Sequence, residues 1–145
     1  MDTFKRDNFQ RLHPGREFPT VETMGRSTRD QVRGQVAMRL GGGPFQRGSD
    51  LVREIVEEAE PLAGVDAKNG LDLLGILDGL GVNYSEHAYL NWGRFEELDR
   101  IRLQDLSECF DDIWYPDADD LDVIDAEYKW ILSVRHDGVV GILRL

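Results

Sequence analysis

Ten carboxylates occur between Asp105 and Glu127 without a single lysine or arginine. The densest part of this stretch begins at Pro116 and sets Asp117, Asp119, Asp120, Asp122, Asp125 and Glu127 close together. Carboxylates at this density hold a cation, form a solvated acidic loop, or meet a basic surface. A calcium loop starting at Asp117 would place Leu121 at its fifth ligand position and Asp122 where a glycine must turn. Tyr128 would stand where the bidentate glutamate belongs, so the calcium pattern fails. The protein-binding reading fits better. Trp114-Tyr115 sets rigid aromatics beside carboxylates, a combination suited to capturing arginine and lysine. An ordinary solvated face would mix in lysines. The candidate binding residues are therefore Asp111, Asp112, Trp114, Tyr115, Asp117, Asp119, Asp120 and Asp122, facing a basic protein partner.

The same stretch admits one catalytic pattern. Pro116-Asp117, followed by Glu127-Tyr128-Lys129, resembles the spaced acid, acid and lysine of PD-(D/E)xK nucleases. That resemblance implies carboxylates holding a divalent ion that activates water, with the lysine stabilising developing charge. Glu127 and Lys129 would share one side of a strand, opposite Trp130. The alternative catalytic set is thus Asp117, Glu127 and Lys129, although an acidic chain produces such spacings by chance. Gly43-Pro44-Phe45-Gln46-Arg47-Gly48 matches the first half of a phosphate-binding loop. Ser49-Asp50 then stands where lysine and a hydroxyl residue must neutralise phosphate and bind magnesium, so this segment reads as a linker. His13, His87 and His136 are scattered, Cys109 falls in a helical stripe as a small hydrophobe, and Ser107 and Ser133 lack a nucleophile-elbow context. No metal site and no cofactor are expected.

These residues need elements to position them. Residues 1–25 show no sustained period and carry Pro14, Gly15 and Pro19, which predicts an extended arm. Val32, Val36 and Leu40 predict a short helix after Ser27 or Thr28, ended by Gly41-Gly42-Gly43-Pro44. Ser49 is the expected cap of a helix carrying Leu51, Val52, Ile55 and Val56, stopped by Pro61. A further helix is expected from Asn69 to Gly79, and another across Leu103, Leu106, Phe110 and Ile113. Tyr84 to Trp92 changes to a period of two and reads as a strand. Tyr128, Trp130, Leu132 and Val134 alternate, and Asp137-Gly138 suits a two-residue type I′ turn. That turn would oppose His136 to Val139, Val134 to Gly141, Leu132 to Leu143 and Trp130 to Leu145. Leu121 and Val123 belong to a preceding strand. The expected class is α+β: an N-terminal arm and helices, then a C-terminal antiparallel sheet, in two layers.

At 145 residues, 41% hydrophobic and 31% charged, the chain is of a size and composition to fold around one core. The net charge of −11 is unevenly spread. Residues 1–48 hold nine Lys/Arg against five acids, a net +4, and the remainder holds eight against 23, a net −15. The expected organisation is a basic arm with a Gly-rich linker over 1–48 and an acidic α+β domain over 49–145. An acidic body disfavours general nucleic-acid binding and favours a basic partner. The single Cys109 rules out an internal disulfide and points to a reducing, cytoplasmic setting. The chain has no apolar run long enough to cross a membrane and no apolar leader near Met1.

The block Phe110-Asp111-Asp112-Ile113-Trp114-Tyr115-Pro116, with Asp119-Asp120, the Trp130 strand and His136-Asp137-Gly138, resembles the ending of many small bacterial proteins. In size and acidity the chain is similar to immunity proteins that neutralise bacterial toxins. The likeness covers about the last third. It implies a non-enzymatic binding protein of immunity or inhibitor type, its basic partner a toxin. Two other functions are carried forward: the metal-dependent nuclease, and a structural or regulatory subunit forming a homo-oligomer through residues 1–48.

Overall fold

Seven strands form one sheet in the computed structural model, which describes residues 1–145. They are β1 (Val21–Thr23), β2 (Glu60–Asp66), β3 (His87–Asn91), β4 (Leu98–Arg102), β5 (Leu121–Asp125), β6 (Trp130–Val134) and β7 (Val139–Arg144). Their order across the sheet is β1-β4-β3-β5-β6-β7-β2, and every neighbouring pair is antiparallel. The helices are α1 (Thr3–Leu12), α2 (Arg26–Arg39), α3 (Gly48–Glu58), α4 (Leu73–Gly79), α5 (Leu103–Glu108) and α6 (Phe110–Ile113). The class is α+β, as its periodicities predict.

Successive strand residues point to opposite faces, and here both faces are covered. Leu121, Val123, Trp130, Leu132 and Val134 pack with Phe9 of α1, Leu73 and Leu77 of α4, Leu103 and Leu106 of α5, and Phe110 and Ile113 of α6. Ile124, Ile131 and Leu143 pack the other way, against Val32, Val36 and Ala37 of α2 and Leu51 and Ile55 of α3. Every residue of β5 and β6 is buried. The arrangement is helix–sheet–helix, three layers where alternation in one hairpin suggested two. Strands buried on both sides read as continuous apolar runs. This explains why β4 escaped notice: Leu98 and Ile101 face opposite cores with Asp99 and Arg100 between them.

Residues 1–48 are built into this body, not appended to it. Asp2 caps α1, Phe9 and Lys5 are buried, β1 joins the sheet edge against β4, and α2 seals the second core. α1 was hidden in the sequence because only one of its apolar residues, Phe9, faces inward; Phe4 and Leu12 are about half exposed. α3 ends at Glu58, before Pro61 as expected, and Pro61 is the second residue of β2, an edge strand where a missing N–H costs no ladder bond.

The C-terminal hairpin pairs one residue out of the expected register: Trp130 opposes Arg144, Leu132 opposes Ile142 and Val134 opposes Val140. The loop is three residues long, His136-Asp137-Gly138, with Gly138 at φ +93° and its N–H donated to the Arg135 carbonyl. A three-residue loop with a left-handed glycine is the alternative to the type I′ turn, and it shifts every facing pair by one.

Candidate functional site

The acidic run meets bases delivered from elsewhere in the chain. Asp112 bonds the His13 ring at 3.0 Å, Asp117 bonds Lys68 at 2.7 Å, and Asp119 pairs with Lys5. Asp120 bonds both the N–H of His136, at 2.8 Å, and its ring, at 2.9 Å. Asp122 is fully buried, pairs with Arg135 and accepts the Asn91 amide at 3.0 Å. Burial pushes the Asp122 carboxyl above its ordinary range, against the opposing pull of Arg135 and Asn91. Trp114 is 1% exposed, stacks on Phe110 and donates its indole N–H to the Asp119 carbonyl at 2.9 Å. Asp122 and Trp114 are core residues and do not belong to a contact surface. Asp111 stays exposed with no base beside it.

Asp117 and Glu127 are kept apart. The Asp117 N–H donates to the His136 carbonyl beside the β6–β7 loop, while Glu127 lies in the β5–β6 turn and pairs with Lys129. These two ends are separated by the length of β6, roughly 16 Å for a five-residue strand. Lys129 holds the Glu127 carboxyl below its ordinary range, and Lys68 does the same for Asp117. Each carboxylate has its own lysine, and the two do not share one ion. Cys109 is buried; burial pushes its thiol up, Arg16 opposes this, and Asp112, Glu108 and Asp105 add to it. A protonated, buried thiol is a poor nucleophile.

What the fold does bring together is an acidic cleft over an aromatic floor. Lys5, on the inward face of α1, is 2% exposed. Its Nζ donates to the Ile113 carbonyl at 2.7 Å and to Asp119, and lies 4.2 Å from the Trp92 ring centre and 5.0 Å from that of Tyr115. The Tyr115 N–H donates to Asp119 at 2.9 Å, so the carboxylate is fixed before any cation reaches it. Trp92 leaves β3 and is anchored by its indole N–H on buried Asp99 at 2.8 Å. Thr23 of β1 and the Met1 ammonium hold the same carboxylate, at 2.7 and 2.6 Å.

Above Lys5 opens a cleft of about 190 Å³ lined by Asp2, Lys5, Trp92, Glu97, Ala118, Asp119 and Asp120. Four carboxylates surround it. Lys5 is the one basic side chain in the lining, and it is already taken by Asp119. Asp119 and Asp120 were expected here from sequence. Asp2, Glu97 and Trp92 were not, because they come from α1 and the β3–β4 connection, far away along the chain. The nearest sequence signal was the aromatic Trp92 beside a polar turn, which reads equally well as core. Comparison with family models, with curated proteins and with solved structures returns no match for this chain.

Proposed function

We propose that this protein is a non-enzymatic binding module, of inhibitor or immunity type, whose acidic cleft receives a lysine or arginine side chain of a basic protein partner. The observation that carries the reading is the seat of Lys5. An ammonium between two aromatic rings and a prepositioned carboxylate gains from cation–π and charge-assisted contacts together. The outer part of the same cleft carries Asp2, Glu97 and Asp120, bonded on one side to the Phe4 N–H, the Met1 ammonium and His136, and a partner's cation would add to those contacts. Long-range attraction by the net negative charge would speed encounter with a basic surface.

The test uses a defined probe, a short lysine- and arginine-rich peptide, titrated against the full chain by fluorescence anisotropy. Glu97→Lys with Asp120→Lys changes two half-exposed cleft residues and spares the Lys5–Asp119 pair. Binding by the parent and at least tenfold loss in the double variant, with unchanged circular dichroism, is the expected result. Equal affinity for both proteins removes the cleft from the interface.

A further inference from the structure

The basic charge of residues 1–48 is not spread along them. Residues 26–47, α2 and the glycine-rich turn after it, hold five arginines against the single acid Asp30. Among its polar residues this surface also carries two large apolar side chains in solvent: Phe45 is 91% exposed and Met38 56%. With Pro44, Gly34, two glutamines and the Asp30–Arg33 pair, these two line a shallow cleft of about 400 Å³ running along α2. Arg39 and Arg47, next along the chain to Met38 and close to Phe45, are exposed and have no carboxylate partner, although the Arg39 guanidinium lies 5.8 Å from the Tyr128 ring centre. An exposed aromatic, a methionine and arginines around a groove is the composition of an interface centre, not of a solvated face.

The opposite composition occurs on the same side of the sheet. Val56 of α3 is 43% exposed, Val139 of β7 is 50% exposed, and with Ala59, Pro61 and Arg135, whose charge is taken by Asp122, they border one small depression. Around it stand Glu57, Glu58 and Glu60, all exposed and without a base. Glu57 and Glu58 lie in the last turn of α3, which holds no basic residue, where the helix dipole disfavours negative charge. A cation brought from outside would relieve that.

The Phe45–Arg47 turn leads into the N-terminus of α3 and Val56–Glu58 form its last turn, so the two ends of this eleven-residue helix, roughly 16 Å long, carry the two compositions. From this placement we infer that the α2–α3 face is the interface of a two-fold homodimer with the two α3 helices antiparallel. The Phe45–Arg47 end of each copy then covers the Val56–Glu58 end of the other. Both contacts form at once and the assembly closes, as an isologous interface requires. The occupant is a second copy because this chain itself carries both halves of the complement, apolar centre to apolar centre and arginine to glutamate. The inference is independent of the acidic cleft, which lies on the other side of the sheet beside α1.

The experiment is sedimentation velocity on the full chain at low ionic strength. The parent should sediment as a dimer, and Phe45→Ser, altering a side chain already in solvent, should sediment as a monomer with an unchanged melt. Arg39→Glu with Arg47→Glu, and separately Glu57→Lys with Glu58→Lys, should each be monomeric, since like charges then face at both contacts. An equimolar mixture of these two variants should recover the dimer, because each restores the complement of the other. A monomeric parent overturns the proposal. So do variants that keep the parent's mass, a mixture that stays monomeric, or a ladder of higher species in place of a closed dimer.

Discussion

Buried charge at a single position sets the first expectation. Lys5 is held by Asp119 and the Ile113 carbonyl with only 2% of its surface exposed, and an ammonium left there alone is costly. Asp119→Ala should therefore destabilise by about 3 kcal/mol or more. Lys5→Met should cost less, because Asp119 keeps the Tyr115 N–H and some contact with water. Urea melts of the two variants check the order; a milder effect from Asp119→Ala than from Lys5→Met contradicts the seat described. Asp120 gives a pH signature. Burial pushes its carboxyl up, but the N–H and ring of His136, with Arg135 nearby, outweigh this and hold it below the ordinary range. Its folded value lies below its unfolded value, so its contribution is present above about pH 4 and is lost as pH falls through the folded value. The gap in Tm between the parent and Asp120→Asn should be widest near neutrality and should close on acidification. A gap independent of pH would mean that Asp120 does not titrate as a bonded carboxylate.

At the scale of elements, the hairpin shows what a sequence can and cannot dictate. Trp130, Leu132 and Val134 announced a strand, and all are buried in one core. Asp137-Gly138 announced a turn. The register depended on whether one or two residues precede Gly138 in the loop, and both choices satisfy the glycine. Packing on the second face decides it, placing Gly141 where Ala59 and the Glu60 carbonyl come close. Gly138→Ala should be damaging on two counts, since a Cβ there meets the Asp66 carboxylate and φ is +93°. A loss of roughly 1–2 kcal/mol or more is expected in thermal melts. Trp130→Ala should cost about 3–5 kcal/mol, because the ring is fully buried. The α3 entrance repeats the lesson. Ser49 has the chemistry of a cap, yet the helix begins at Gly48, where any side chain would collide with the Arg94 carbonyl. Local chemistry marked these elements; contacts between distant segments placed their ends.

Across the whole molecule, net charge was legible and its distribution in space was not. Ten uninterrupted carboxylates look like an unoccupied surface, but His13, Lys68, Lys5, His136 and Arg135 reach five of them from three separate regions. Seeing that requires knowing that α1 lies across the α6–β5 loop. Its one inward apolar residue, Phe9, gave no period from which to infer a helix. Asp2, Glu97 and Asp120 gather around Trp92, each already bonded, to the Phe4 N–H, the Met1 ammonium and His136 in turn, and Glu97 and Asp120 keep about half of their side-chain surface in solvent. No helix is long and apolar enough to cross a membrane. The central claim is that this cleft, and not the acidic loop as a whole, takes the cation of a partner. The three tryptophans report on it separately. Trp114 and Trp130 are buried, while Trp92 floors the cleft. Titration of the lysine- and arginine-rich peptide into uniformly labelled protein, followed by the indole N–H resonances, is the most direct measurement. The Trp92 indole should shift and saturate while that of Trp130, bonded to the Asn83 carbonyl away from the cleft, stays in place. A Trp92 resonance that does not move while the peptide binds would contradict the account.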